Sequence, residues 1–351
     1  MLPASEPQNI CILRLSAIGD VTHVVPVVRA IQNQWPEAKI TWVCGKLEHK
    51  VLGDIEGIRF IIFDKNAGMR AFQDLRRELA GETFDVLLHM QVAARANFAS
   101  ACIKAKVKIG WDKARSRDLH RCFVDQHIAS AEQQHQVQGF LSFARALELD
   151  ADEPQWDLPV SSASKEFGEQ ALPGSQRTLM ISPCSSHVLR NWAADRYAAV
   201  ADYAIERLDM RVALVGGPSK LEASTGAAIE ESMGSDAVNL IGKDTLPKSM
   251  ALLQRADIVL SPDSGPAHLA NALGTPVVGL YACTWSKRSG PYNSLDLCAD
   301  RFPVAARQFV GKEPGDLRWG TRIEQNGVMD LIQVDAVIEK LEQAARIPRQ
   351  A

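Results

Sequence analysis

The sequence predicts an α/β protein of two Rossmann-like domains, with parallel sheets facing across a cleft. Three observations predict it. Apolar runs of strand length alternate with segments of helical spacing through both halves. A stretch of Asp, Glu, Pro and Ser without periodicity (DADEPQWDLPVSSAS, residues 150–164) reads as an interdomain linker. At 351 residues the chain is long enough for each half to bury its own core. One domain is therefore expected at 1–157 and a second at 158–351, with the last helix a candidate to pack back on the first.

In the first half, residues 9–16 (NICILRLS) read as a strand and 20–34 as a helix on the stripe Val24, Val27, Val28 and Ile31. The turn between them, Ser-Ala-Ile-Gly-Asp, puts Asp20 at the helix start, where a plain N-cap would account for it. Strands at 39–43, 59–63, 84–89 and 107–111 follow, with helices at 69–79 and 95–103 and helical character at 134–149. No G-x-G-x-x-G follows Ser16, which disfavours a nicotinamide-dependent oxidoreductase.

The second half repeats the alternation: strands at 178–182, 211–215, 238–240 and 257–261, helices at 195–207, 219–233, 246–254 and 331–345. Its most informative stretch is SPDSGPAHLANALGTPVVGLY, residues 261–281. Asp263 and Ser264 suit an N-cap, and Pro266 suits the first turn, where its missing N–H costs nothing. Leu269 and Leu273 share a helical face; Gly274 ends the helix and Pro276 forbids its continuation. Such a turn aims backbone N–H groups and the positive end of the helix dipole above the sheet, a site for an anion such as phosphate, with His268 a further donor. The same residues also suit a well-capped connection with no ligand. Three more polar pieces follow strands: SPCSSHVLRNW (182–192), GGPSKLE (216–222), whose glycines allow close backbone approach, and TWSKRSGPY (284–292) with Lys287 and Arg288.

Composition narrows the function classes. A net charge of −3 argues against a general nucleic-acid binder. Seven cysteines without a C-x-x-C pair or zinc spacing suit reduced thiols in a cytosolic protein. The opening MLPASEPQ lacks the marks of a signal peptide, and no apolar run reaches transmembrane length, so membrane association is expected to be peripheral. Residues 104–121 are locally basic: Lys104, Lys106, Lys108, Lys113, Arg115, Arg117 and Arg121 against Asp112 and Asp118. This is a solvated surface or a hold on an anionic acceptor.

Asp-Ser-Gly-Pro-x-His-Leu-Ala, followed by Ala-x-Gly-x-Pro-x-Val and Leu-Tyr, resembles the signature of glycosyltransferase family 9, the lipopolysaccharide heptosyltransferases. Arg14-x-Ser-Ala-Ile-Gly-Asp-Val resembles its opening motif, with arginine where the family often has lysine. Ala282-Cys283 departs from the family, which more often has glycine there. The resemblance runs through both halves and implies the GT-B arrangement. It further implies inverting transfer of a heptose from ADP-heptose to an inner-core lipopolysaccharide acceptor, Kdo-lipid A or a heptose. On that likeness Asp20 is the catalytic base. Ser185, Ser186 and Arg190 (the last for a family lysine) hold the donor pyrophosphate. Glu222 binds the ribose, residues 242–245 form the adenine-side loop, and Asp263, Ser264, Gly265, His268 and Arg288 complete the donor site. Arg14, Lys113, Arg115 and Arg117 are the candidate acceptor contacts. No cofactor or metal is expected. The partners expected are ADP-heptose and an anionic glycolipid, with no nucleic acid, in a cytoplasmic protein in peripheral contact with the inner membrane. The competing readings are a family member with another donor sugar or acceptor, and a catalytically silent nucleotide-sugar-binding protein.

Overall fold

In the computed structural model, which describes residues 6–348, the apolar run NICIL becomes strand β1 (Asn9–Leu13), buried from Ile10 to Leu13. Residues 1–5, part of the stretch read for a targeting signal, lie outside the described range, as do 349–351. After β1 come α1 (Ile18–Gln34), β2 (Lys39–Gly45), α2 (Lys46–Leu52), β3 (Ile58–Phe63), α3 (Met69–Glu78), β4 (Phe84–His89), α4 (Ala94–Ala101), β5 (Ala105–Gly110), β6 (Gln126–His127) and α5 (Gln136–Ala146). All pair in parallel in the order β3-β2-β1-β4-β5-β6.

Parallel strands covered on both faces must be apolar on both faces, which is why β1 shows no polar alternation. Cys11 and Leu13 join one core with Leu75 of α3 and Ala96 and Ala99 of α4. Ile10 and Ile12 point the other way by the period of two, toward the face where α1 packs on α5.

The chain divides into two units, Met1–Pro159 and Val160–Ala351. The second contains α6 (Ser162–Ala171), β7 (Thr178–Ile181), α7 (Ala194–Leu208), β8 (Arg211–Leu214), α8 (Lys220–Ser232), β9 (Val238–Asn239), α9 (Leu246–Arg255), β10 (Ile258–Pro262), α10 (Gly265–Ala272), β11 (Val277–Tyr281), α11 (Ser286–Ser289), β12 (Ala299–Asp300), α12 (Phe302–Ala305) and α13 (Val334–Ala345). Its sheet runs β12-β11-β10-β7-β8-β9, again all parallel. Val337, Leu341 and Ala344 of α13 pack into this unit's own core with Tyr197 and Leu260.

Counted from its first strand, each sheet has the same 3-2-1-4-5-6 order. Such an order places a crevice at the carboxyl ends of the two central strands, where the winding reverses. In the first unit those strands are β1 and β4; in the second they are β7 and β10.

The boundary between the two units falls inside residues 150–164, and the stretch is fixed rather than loose. Trp156 is buried and its indole N–H donates to Thr22 O at 3.0 Å, while Arg29 Nε donates to Trp156 O at 3.3 Å, so the segment is strapped to α1. Its last residues already belong to α6, capped by the Ser161 hydroxyl, which accepts from Ser164 N–H. Asp20, for which a plain N-cap is the competing account, is the third helical residue of α1; the cap position is Ala17, and the Asp20 carboxylate accepts from its N–H.

Candidate active site

In the first unit, the turn after β1 carries Arg14 and Asp20 to the crevice between β1 and β4. Asp20 Oδ2 accepts from Ala17 N–H at 3.2 Å and meets Arg14 Nη2 at 2.5 Å. Arg14 is itself fixed: Nη1 donates to Met90 O at 2.7 Å and the guanidinium lies 5.3 Å from the Phe140 ring centroid. The Asp20 side chain is 28% exposed. Both contacts fall on Oδ2 rather than Oδ1. Gln91, just past β4, was not singled out from the sequence. Its Oε1 accepts from Leu15 N–H at 2.7 Å and its Nε2 donates to Ser16 Oγ at 3.3 Å, fastening the same turn.

The basic stretch formed by β5 and the loop after it divides by role. Arg115 is a brace: its guanidinium donates to Asp112 Oδ2, Gln134 Oε1 and Ala129 O at 2.8, 3.0 and 3.1 Å, and lies over Trp111. Lys106 pairs with Asp85 and Lys108 donates to Ser100 O. Lys113 and Arg117 are exposed. Beneath this loop lies a polar cluster the sequence did not announce. Trp111 N–H donates to His120 Nε2 at 3.1 Å, so the His120 proton is on Nδ1, which donates to Asn97 Oδ1 at 3.0 Å. His89 Nε2 donates to the same oxygen at 2.9 Å, and Asn97 Nδ2 donates to Asp118 O at 2.7 Å. Burial lowers both imidazoles, His89 to about 3 and His120 to about 4. Both are neutral in this arrangement.

In the second unit, four residues expected at the donor site come together at the β7/β10 crevice. Ser185 Oγ donates to Asp263 O at 2.8 Å, and Ser185 N–H donates to Asn191 Oδ1 at 2.7 Å. Arg190 Nη1 donates to Asp263 Oδ2 at 3.3 Å, and His268 Nε2 lies 3.6 Å from Asp263 Oδ1. Burial pulls the Asp263 carboxyl upward, yet His268, Arg190 and the Thr284 hydroxyl together hold it below its ordinary value. Ser186 is exposed beside this cluster.

The expected caps of α10 are absent, for a specific reason. Ser264 occupies the N-cap with extended backbone, but its hydroxyl shares a 2.8 Å hydrogen bond with Ser261 Oγ and makes no cap bond. The Asp263 carboxylate is turned to Arg190 and His268. The Gly265 and Ala267 amides at the start of α10 therefore receive no cap from Ser264, which is the condition for holding an anion.

The cap bond that α10 lacks is present at α8, where Ser219 is the cap and the Glu222 carboxylate braces it. Gly217 N–H donates to Oε1 at 2.8 Å and Ser219 Oγ to Oε2 at 2.7 Å, while Glu222 N–H donates back to Ser219 Oγ at 3.2 Å. A Cβ on Gly217 would stand 3.0 Å from Oε2, tight enough that the carboxylate would have to shift by a few tenths of an ångström. Burial raises the Cys184 thiol and the Glu222 charge adds to it, which places Glu222 near the loop after β7. In the 242–245 loop, burial pushes the Asp244 carboxyl up to about 6. Arg288, on α11, is half-buried against Gly320 in a recess lined by Trp285 and Trp319; Lys287 is exposed, its ammonium 5.7 Å from the Trp285 ring centroid.

One member was missed outright. Glu324 Oε1 accepts from Arg190 Nε and Nη2 at 2.8 and 2.6 Å, and its Oε2 lies 3.6 Å from His187 Nε2. It is delivered by coil, anchored where Ile323 N–H donates to Cys283 O at 2.8 Å just past β11. No motif or periodicity marks it.

Two parallel Rossmann-order sheets, each with a polar cluster at its switch point, define the GT-B class of glycosyltransferase folds. A family model for glycosyltransferase family 9 (heptosyltransferase) matches residues 72–305. The chain is 38% identical over 335 residues to the lipopolysaccharide core heptosyltransferase OpsX of Haemophilus influenzae, covering 95% of this chain and 96% of that one. It is 24% identical to a lipopolysaccharide heptosyltransferase 3 of Escherichia coli, over 76% of this chain and 81% of that one. Among solved structures, a family 9 glycosyl transferase from Veillonella parvula aligns with a TM-score of 0.78 at 21% identity, covering 96% and 97% of the two chains. The E. coli heptosyltransferase WaaC with ADP aligns at 0.72 and 18% identity, covering 96% and 99%. The chain belongs to glycosyltransferase family 9, the heptosyltransferases, and is a glycosyltransferase.

Proposed function

We propose that the enzyme transfers a heptose from ADP-heptose, with inversion, to a sugar hydroxyl of an anionic inner-core lipopolysaccharide acceptor. The observation that carries the donor half is the uncapped start of α10, beside Ser185, Arg190 and His268. A diphosphate supplies the acceptor these amides lack. The relatives named as lipopolysaccharide heptosyltransferases, and the related structure with ADP, support the same donor and acceptor class.

In the reaction, the acceptor hydroxyl oxygen attacks the anomeric carbon while Asp20 takes its proton. The bond from that carbon to the ADP oxygen breaks, and ADP leaves with the electron pair. Its growing charge meets the α10 amides from Gly265, His268, Ser185, Ser186 and Arg190, fixed before the reaction. A single displacement of this kind inverts the anomeric centre. Glu222 is positioned for the ribose hydroxyls, Asp244 for the adenine side, and Arg288 for the sugar. Asp263 and Ser264 shape the turn rather than cap the helix. On the acceptor side, Lys113 and Arg117 offer exposed charge, with Arg115 bracing their loop and Arg14 orienting Asp20. Helix dipole and cations serve here without a divalent metal, so turnover should persist in excess EDTA. No described helix is long and apolar enough to cross a membrane. The reading places the enzyme on the cytoplasmic side in peripheral contact with the inner membrane.

ADP release measured with donor alone, and with donor plus a truncated Kdo-lipid A acceptor, tests the whole reading. Acceptor-dependent release is expected. Asp20→Asn should lower kcat about 100- to 10,000-fold with ADP binding intact, the usual range for a general base. Full activity in that variant would remove the base.

A further inference from the structure

Two large apolar side chains stand in the open on the first unit: Phe98 is 60% exposed and Leu119 is 76% exposed. Exposed single hydrophobics are ordinary on a soluble protein. These two belong to one built feature. On α4, the exposed positions Arg95, Phe98 and Ala101 fall on one helical face. The Phe98 ring meets the half-buried Phe123 ring edge-on at 5.8 Å. Phe123 ends the 3-10 turn His120–Phe123, and the residues leading into that turn are tied to α4. Asp118 Oδ2 accepts from Ala94 N–H at 3.2 Å, and Asp118 O accepts from Asn97 Nδ2.

Leu119 comes next, with φ at +59°, a left-handed backbone that leucine rarely adopts. The next residue, His120, is buried and bonded to Asn97. The result is an exposed apolar tip on a buried anchor. Arg95, on the first turn of α4, and Arg117 and Arg121, beside the tip in sequence, are exposed, while the nearby Asp118 carboxylate is engaged with the start of α4. In a chain of net charge −3, this is a local reversal of sign.

An anionic lipid surface complements both halves of the feature. Its headgroups attract the arginines, and its acyl boundary receives phenylalanine and leucine. A second copy of this chain fits less well, because a two-fold contact would set these like charges against one another. We propose that the shoulder formed by α4 and residues 118–123 docks on an anionic phospholipid bilayer. Phe98 and Leu119 enter below the headgroups, and Arg95, Arg117 and Arg121 contact them. The proposal locates the peripheral membrane contact suggested above and rests on that reading; its test needs neither sugar donor nor acceptor.

The full chain is mixed with vesicles of phosphatidylethanolamine and phosphatidylglycerol, free of glycolipid, and sedimented. Binding is expected there, weakening as salt rises, and not on phosphatidylcholine vesicles. Phe98→Ser with Leu119→Asn should lower the partition coefficient at least about tenfold. Turnover on a soluble deacylated acceptor should stay unchanged. Leu119→Asn alone suits the left-handed backbone, leaves the core untouched and should give an intermediate loss, so the proposal survives a folding failure of the pair. Arg95→Gln with Arg121→Gln should flatten the salt dependence. Wild-type protein that stays off anionic vesicles, or a double variant that binds them as wild type does, overturns the proposal. So does a solution dimer that the double variant abolishes while lipid binding persists. Vesicle binding without any acceptor-dependent ADP release would leave the surface standing and remove the donor and acceptor proposed above.

Discussion

Arg190 is nearly buried and holds two carboxylates at once, Asp263 on one side and Glu324 on the other. A cation so occupied does not swing out to meet a ligand. It presents its remaining N–H groups in a fixed plane, which is the advantage of a guanidinium over an ammonium. Glu324→Ala would leave Nε and one Nη of a buried guanidinium short of an acceptor. Stability in urea should fall by about 1–3 kcal/mol. ADP affinity by calorimetry should fall with it, and unchanged affinity would remove Glu324 from the site. Sequence reasoning found Arg190 but not Glu324, and distance along the chain is the reason. The pair is separated by 134 positions, and Glu324 arrives on coil without a pattern. Asp20 sits in a local motif, and its carboxylate accepts from the Ala17 N–H, so it serves the helix start from the third position rather than from the cap itself.

Elements built on periodicity were read from sequence within about three residues at either end; elements built on polar detail were not. α7 and α8 follow their apolar stripes, whereas α6 (SASKEFGEQA) is polar enough to pass for the end of a linker. The strap before it depends on one side chain. Trp156→Ala removes a buried indole and its bond to Thr22 O, and should cost about 3–5 kcal/mol, measurable as a lowered midpoint in urea. A loose linker would tolerate the change. The cap of α10 was illegible for a different reason. Ser264 is a good capping residue by type, and only the placement of Ser261 shows that its hydroxyl is already engaged.

At the scale of the molecule, the alternation of elements was enough to predict two parallel sheets, since a parallel strand needs a crossover and a crossover is most simply a helix. The buried His89 and His120 were invisible to that reasoning, and they set a pH limit. Their folded values, near 3 and 4, lie below the ordinary 6.5. The unfolded chain therefore binds the extra protons first. The stability they contribute is complete above about pH 6.5 and is lost as pH falls toward 4, at up to about 1.4 kcal/mol per pH unit for each ring. Urea midpoints at neutral pH and near pH 5 should differ accordingly, and His120→Asn should flatten the dependence.

The matching strand orders of the two sheets have an evolutionary consequence. Each half carries a complete crevice of its own, so each is free to drift under separate selection. A chimera joining residues 1–159 of a relative to the remainder of this chain should inherit that relative's choice of glycan while keeping the nucleotide sugar of this one. Mass spectrometry of its products would reveal whether substrate choice is partitioned in this modular way.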